Sequence, residues 1–456
     1  MFKSKQDYLF FITLIIIQLA YFISAIYIHN YNPFIKEHFF ATDSGEYITQ
    51  AKNIIDYQIS YSGNLLEPIN KHYFTVRPPL YPIFLSGFYL LNASTIFIFF
   101  VQNIISFFSI YLLRDTLLKF NYKKKFDILF LLFFLLTPSH FIYANSLMSE
   151  VLFQFLLVLL FRFAMLFHLH NKNKFLIAYS IVLVLAVLTK PVMYLFIIPS
   201  TIYLIVLSFK LKKWQPFGVS FIPIITILLI FQWNFNRTNH YHYSSISSYN
   251  LINFNTHLFL MNTKGLVYAD KVVDSINNNA NSINNFGKKL EYTDEAAKSI
   301  LKENFVSYSL FHLKSSFYGL IDPGRYDLTT FFKIKFNSVY NYKEGVLYHL
   351  NNGGVGSVFN FLINKYSIGF LLVMILILGS NIFKVLSLLF FLFNFKIDFN
   401  LKFISLSIIG YLFILPGPVG ASRYIMPIAP LIIGIILIDN YFINFISSKI
   451  NLWKKE

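Results

Sequence analysis

The chain contains no cysteine, which excludes a disulfide framework, a thiolate metal site and a cysteine nucleophile, and leaves the redox compartment unreadable. Charge is nearly as scarce. Only 13% of the 456 residues are Asp, Glu, Lys or Arg, against 56% hydrophobic residues and a mean hydropathy of +0.57, where a soluble domain carries about a quarter charged residues. Water is therefore not the main solvent of this chain. The charges are unbalanced, +17 in all, but the basic residues fall in short runs between apolar segments. That makes them topology signals and not a nucleic-acid footprint. The 55 Phe and 31 Tyr ride on an Ile-, Leu-, Asn- and Lys-rich composition of the kind AT-rich coding produces, and are not read as a cofactor box.

What the sequence has in abundance is apolar runs long enough to cross a bilayer, for which a helix needs roughly 20 residues. They fall near 8 to 28, 95 to 114, 126 to 144, 149 to 167, 175 to 190, 192 to 209, 216 to 234, 363 to 393, 402 to 416 and 424 to 444. Lys3 and Lys5 precede the first run, which is long enough to span and lacks a clear cleavage site, so it reads as an uncleaved helix. The expected fold is an all-α polytopic membrane protein of about ten transmembrane helices. Five basic runs, Lys123 to Lys125, Lys172 and Lys174, Lys210 to Lys213, Lys396 and Lys402, and Lys449 to Lys455, then share one side, the cytoplasmic one. Two long polar segments, 29 to 94 and 235 to 362, lie opposite, with shorter external turns at Pro138 to Asn145 and Pro416 to Arg423. The run 363 to 393, interrupted by Gly379, Ser380 and Asn381, is counted once and is either one kinked helix or two pieces. The chain divides into an N-terminal bundle with the first loop (1–234), an external cap (235–362) and C-terminal helices (363–456).

The first external segment is itself helical: Tyr47, Ile48, Ala51, Ile54 and Ile55 recur at helical spacing opposite Glu46, Gln50 and Lys52, as a helix lying on the membrane surface would. Pro78 and Pro79 open a short apolar helix to Leu91. In the cap, the Asn-rich stretch 277 to 285 reads as a mobile loop, followed by a helix started at Thr293 to Glu295. GGVGS at 353 to 357 lacks the strand and the full phosphate fingerprint, and reads as a flexible loop entering a helix. The pairs His168/His170 and His240/His242 have no metal-ligand spacing.

Chemistry is concentrated in a few charges. Asp43 and Glu46 in TDSGEY are three residues apart, on one helix face. A carboxylate there suits a general base, while an Asp three residues before a Glu at a helix start also fits a capping box. Arg77, Lys190 and Arg423 all stand at expected external helix ends, where they would hold an anionic phosphate or simply snorkel to the interface. Lys190 lies between two apolar runs, where a charge costs about 2.5 to 3.5 kcal/mol and wants an anion. Glu150 is that partner, a second site carboxylate, or a charge favoured at a helix N-terminus, the last being preferred. Arg162 is placed to snorkel at the cytoplasmic end, and Lys384 accompanies the irregular Gly379 to Asn381.

Taken in order, TDSGEYITQAKNI, RPPLYPIFLSGFYLL, NSLMSEVLFQFLL, LAVLTKPVMYLF and ASRYIMPIAPLI resemble the GT-C glycosyltransferases of the dolichyl-phosphate-mannose-protein mannosyltransferase type, including bacterial relatives that modify envelope lipids and glycans. DEAAKSILKENFVSYSLFHLKSSFYGL is similar to the external helix pair of that family. The resemblance covers roughly 8 to 445. It implies a polyprenyl-phosphate sugar donor, an envelope lipid, glycan or protein acceptor, no nucleic acid, and an active site on the external face of the cytoplasmic membrane. Carried over, Asp43 with Glu46 becomes the catalytic group, and Arg77, Lys190, Arg423 and Tyr424 hold the donor phosphate, with Glu150 as a secondary candidate. Some members use a divalent metal such as Mg or Mn, which Asp43 would bind; here Ser44 replaces the second adjacent acid such a site often has. The alternatives are a lipid-linked oligosaccharide flippase, which tends to short loops and internal repeats, and an O-antigen polymerase or ligase.

Overall fold

The computed structural model describes residues 4–29, 42–334 and 346–438, and among these every regular element is helical. Residues 439–444 of the expected last span, and Lys449, Lys454 and Lys455, lie outside the described residues. In chain order the α-helices begin with α1 (Lys5–His29), α2 (Thr42–Tyr57), α3 (Leu80–Leu90), α4 (Thr95–Leu117), α5 (Asp127–Leu135), α6 (Ser139–Ala144) and α7 (Glu150–His170). They continue with α8 (Asn173–Thr189), α9 (Ile197–Leu211), α10 (Gln215–Thr238), α11 (Ile246–Asn250), α12 (His257–Lys264), α13 (Leu266–Asn281) and α14 (Phe286–Glu303). The last are α15 (Phe305–Ile321), α16 (Arg325–Phe331), α17 (Val346–Lys365), α18 (Ile368–Phe393), α19 (Phe399–Ile414), α20 (Ser422–Ile425) and α21 (Ala429–Ile438).

Among the described residues, six helical segments are long and apolar enough to cross a bilayer: Lys5–Ile28, Thr95–Leu117, Glu150–His170, Pro191–Leu211, Gln215–Thr238 and Ile368–Phe393. A chain with six such helices is a multi-pass membrane protein. Four shorter apolar helices accompany them, Leu80–Leu90, Asn173–Thr189, Phe399–Ile414 and Ser422–Ile438. Burial separates a central post from its surroundings. Of the most apolar stretch of α7, 67% is buried inside the protein, against 17% for α10 and 22% for α18. The outer helices therefore turn apolar faces, such as Ile16, Leu228 and Ile375, outward, as lipid-facing helices do. The core against α7 joins Leu14, Leu113, Phe134, Leu157, Phe161, Leu183, Ile408 and Ile433.

Lipid tails are as apolar as Leu, so polar bonds and close packing between helices carry much of the specificity. Gln18 of α1 donates to Ser106 Oγ of α4 at 2.8 Å, and Ser106 in turn contacts His140 Nε2 at 2.8 Å. Arg114, almost fully buried at the end of α4, binds Asp7 at 2.9 Å and Asp127 at 2.6 Å, joining α1, α4 and α5.

Several expectations need correction. The span expected at 126 to 144 is interrupted, because Pro138 disfavours helical geometry at Thr137 and the chain restarts as α6. The turn expected outside at Pro138 to Asn145 is buried, with His140, Ile142 and Asn145 nearly inaccessible. Its polar groups are satisfied from α4, where Gln102 donates to the Ala144 and Ser146 carbonyls and Asn103 to Asn145 Oδ1. Gly379 to Asn381 do not break α18, which runs unbroken for 26 residues. The Asn-rich stretch is helical to Asn281, and the next helix starts at Phe286, capped by Asn285, not at Thr293. GGVGS lies inside α17, which kinks at Gly354. Finally, α2 packs into the protein: Tyr47, Gln50 and Ala51 are all buried.

Candidate functional site

The first turn of α2 carries Asp43 and Glu46, and both carboxylates reach Arg77 rather than the helix's own backbone. Arg77 donates Nη2 to Asp43 Oδ1 at 2.6 Å and Nε to Glu46 Oε2 at 2.5 Å. Arg77 precedes Pro78, in the short bent segment that links the 3-10 turn Lys71–Phe74 to α3. That segment is clamped from both sides. Gln50 donates to the Arg77 carbonyl and to Ser60 Oγ. Ser244 donates to the Thr75 carbonyl at 2.7 Å, and His242 Nε2 lies 2.9 Å from Thr75 Oγ1. The Arg77 guanidinium also sits 5.4 Å from the ring centroid of Tyr47, whose hydroxyl meets Ser149 Oγ at 3.1 Å, one residue before Glu150.

The second half of the site comes from three distant points in the chain. Glu150 opens α7 and is completely buried. Lys190 ends α8 in an extended conformation, because Pro191 cannot continue the helix, and its Nζ reaches Glu150 Oε1 at 2.8 Å. Arg423 lies in α20 and spans the gap: its Nε donates to the same Glu150 oxygen at 2.7 Å and its Nη2 to Asp43 Oδ2. The result is one continuous ion chain, Glu46, Arg77, Asp43, Arg423, Glu150 and Lys190, with three carboxylates and three cations. It runs inward, from Glu46 with 30% of its side chain exposed to Glu150 with none. Burial alone would raise the Asp43 carboxyl; the charges of Arg423 and Arg77 outweigh it and hold the group at about 2.

The structure thus joins the six charged residues that the sequence put forward as site candidates, and resolves two open readings. Asp43 and Glu46 do not form a capping box, since their oxygens are engaged by guanidinium groups. Glu150 is an ion-pair partner as well as the first residue of a helix. Tyr424 is adjacent by chain, its ring 5.9 Å from the Arg423 guanidinium, but no hydrogen bond joins its hydroxyl to the chain of charges among the described residues. Arg162 pairs with Asp115 at 2.7 Å, and Lys384 donates to Thr137 Oγ1 at 2.8 Å; neither enters the site.

Two acids that sequence reasoning passed over hold Arg423 in place. Asp322 accepts the backbone N–H of Ser422 at 2.7 Å, and Asp327 accepts the hydroxyls of Ser422, Ser139 and Tyr143 at 3.0, 2.5 and 3.0 Å. Burial raises the Asp327 carboxyl above its usual value. The Asp322-Pro323-Gly324 turn was the signal available in the sequence. Just before Arg423, Gly420 adopts φ +49, and a Cβ there would come within 2.6 Å of the Ser315 carbonyl oxygen, so the loop requires glycine.

The donor set does not fit a divalent metal. Both oxygens of Asp43 are bound to guanidinium groups, three cations line the cluster, and no group of three or more His, Asp or Glu suited to a metal occurs among the described residues. What the arrangement suits is an anion. Arg77, Arg423 and Lys190 are gathered at one place, and the Lys190 ammonium has donors beyond its one bond to Glu150, whereas Glu150 Oε2, buried without a hydrogen-bond partner, is an acceptor that calls for a donor. Fold and site together define a multi-pass helical membrane protein with a buried chain of alternating acids and bases. Comparison of the chain with protein-family models, with curated proteins and with solved structures finds no match.

Proposed function

We propose that the protein is a membrane glycosyltransferase of the GT-C type, with about ten spans counting the shorter apolar helices, acting at the external face of the cytoplasmic membrane. It transfers a sugar from a polyprenyl-phosphate donor to an envelope lipid, glycan or protein. The observation that carries this reading is Asp43 held between Arg77 and Arg423, a potential base directly beside groups that neutralise phosphate. An isoprenoid tail must enter from lipid while its sugar phosphate stays near water, and an ion chain running from a half-exposed to a buried end suits that division.

In the arrangement described, both Asp43 oxygens are occupied and its affinity for protons is low, which makes it a poor base. A donor phosphate offers the same guanidinium groups a second anion, freeing an Asp43 oxygen. Asp43 then takes the proton of the acceptor hydroxyl as that oxygen bonds to the anomeric carbon. The anomeric carbon–phosphate oxygen bond breaks with inversion, and the bonding pair leaves on the polyprenyl phosphate. Its second negative charge develops against Arg77, Arg423 and Lys190, so these cations bind the transition state more strongly than the ground state.

The experiment supplies purified protein in detergent with a radiolabelled polyprenyl-phosphate sugar and an envelope extract as acceptor pool. Transfer of label with release of polyprenyl phosphate is expected. Intact donor after prolonged incubation, with donor translocation in proteoliposomes, would instead identify a transporter.

A further inference from the structure

On the flank of the protein, between the loop after α2, the start of α3 and the end of α10, opens a groove of about 560 Å³. None of the six charges of the ion chain lines it. Its walls are apolar, formed by Ile59, Leu65, Ile69, Phe74 and Ile83, and its rim carries Trp233 and Arg237. The Arg237 guanidinium lies 3.6 Å from the centroid of the Trp233 indole and donates to the Ser60 carbonyl at 3.1 Å and to Asn234 Oδ1 at 2.5 Å. Lys71 reaches the carbonyl of the next residue, Thr238, at 3.4 Å. Among the described residues, neither cation has a carboxylate within ion-pair distance, whereas the three cations of the neighbouring site are all paired.

One uncompensated cation, Arg237, stands at the mouth of an apolar groove, beside an indole, at the end of an apolar helix 24 residues long, with a second, Lys71, held one residue further along at the Thr238 carbonyl. That is the chemistry of the bilayer interface, where a basic residue meets a lipid phosphate and the chain below lies against apolar side chains. We propose that this groove is a binding site for an anionic phospholipid, with its phosphate on Arg237 and Lys71 and one acyl chain along Ile59, Phe74 and Ile83. The volume is that of a single fatty-acyl chain, the lipid's other chain remaining in the bilayer, and competition with polyprenyl phosphate separates this occupant from the donor of the transfer reaction. Through Ser60, whose hydroxyl Gln50 bonds while Gln50 also holds the Arg77 carbonyl, the lipid touches the segment that presents Arg77.

The test uses the full chain in a neutral detergent, with Trp214→Phe and Trp453→Phe leaving Trp233 as the sole indole. Fluorescence quenching is measured with phosphatidylglycerol and phosphatidylcholine brominated on the acyl chains. The proposal expects half-quenching by phosphatidylglycerol at a lower mole fraction, by roughly fivefold for each basic residue engaged. Arg237→Gln should remove most of the preference. Lys71→Gln should remove part of it and serves alone if the arginine variant does not accumulate. Equal quenching by the two lipids, a preference untouched by these substitutions, or displacement of brominated phosphatidylglycerol by an equal mole fraction of polyprenyl phosphate would each overturn the assignment. Sugar transfer does not enter the readout, so the outcome stands apart from that of the proposed reaction.

Discussion

Arg423 donates Nη2 to Oδ2 of Asp43, a residue 380 positions earlier in the chain, and with its Nε holds Glu150 at the buried end of the site. One guanidinium therefore fixes α2 against the start of the central post and the C-terminal helices. Its fork shape is what allows two divergent contacts.

Replacing that fork separates charge from geometry. Arg423→Lys keeps the positive charge but not both bonds, and Arg423→Gln removes the charge altogether. We expect thermal stability in detergent to fall in both variants, by about 1.5 to 3 kcal/mol for Arg423→Gln on the scale of charged hydrogen bonds, with less lost in Arg423→Lys. Hydrogen exchange at the first turn of α2 should rise in step. Unchanged exchange at Asp43 to Tyr47 would show that Arg423 does not anchor that turn.

Glu150 and Lys190 should be strongly coupled. Lys190→Met leaves a fully buried carboxylate with Arg423 as its remaining cation, whereas adding Glu150→Gln removes the charge that needs compensation. The double variant is expected to be at least as stable as Lys190→Met alone, with a coupling energy of roughly 0.5 to 3 kcal/mol in a double-mutant cycle. Additive losses would mean the pair is not an interacting unit.

The far end of the bundle offers a comparison without functional content. Arg114→Met leaves Asp127 without a cation and Asp7 with Lys124 at 2.7 Å as its remaining one, both carboxylates being nearly inaccessible, and the expected loss is roughly 3 to 5 kcal/mol. Combining it with Asp7→Asn and Asp127→Asn should restore much of the melting temperature. No recovery would contradict the view that uncompensated charge is the cause.

Acid should loosen the clamp on Arg77 before it protonates Asp43. Burial lowers His72 and His242 to about 4, aided at His72 by the Arg77 charge and opposed at His242 by its bond to the His240 carbonyl. The unfolded value is near 6.5. A value depressed in the folded state means the unfolded chain binds protons first, so this stability is complete above pH 6.5 and is lost as pH falls towards 4. Asp43 has the same sign, but between 3.8 and about 2. Protection factors for residues 71–77, corrected for intrinsic exchange, should therefore fall between pH 7 and 4.5, and fall less in His242→Asn. Constant protection across that range would refute the assignment.

The sequence was most legible where one local signal sufficed. Long apolar runs marked α1, α4, α7, α10 and α18, Pro79 marked the start of α3, and the scarcity of charge made Asp43, Arg77, Lys190 and Arg423 conspicuous. It was least legible where the environment decides. Nothing local says that Pro138 to Asn145 is covered by Gln102 and Asn103 of α4, or that a helix tolerates Gly379 to Asn381 once Asn381 can bond the Asp322 carbonyl. Glu150 looked like a favourable helix-end charge because its partner Arg423 is 273 positions away. Asp322 and Asp327 went unread because their role is to hold Ser422, a relation only folding creates.

The central claim is that Asp43 is the base, and it is tested most directly by single-turnover sugar transfer in Asp43→Asn beside Glu46→Gln, with donor binding measured separately. The account predicts that Asp43→Asn folds, still binds the polyprenyl-phosphate sugar, and transfers it about 10² to 10⁴ times more slowly, while Glu46→Gln keeps most of the rate. Transfer by a well-folded Asp43→Asn protein at the wild-type rate would contradict it.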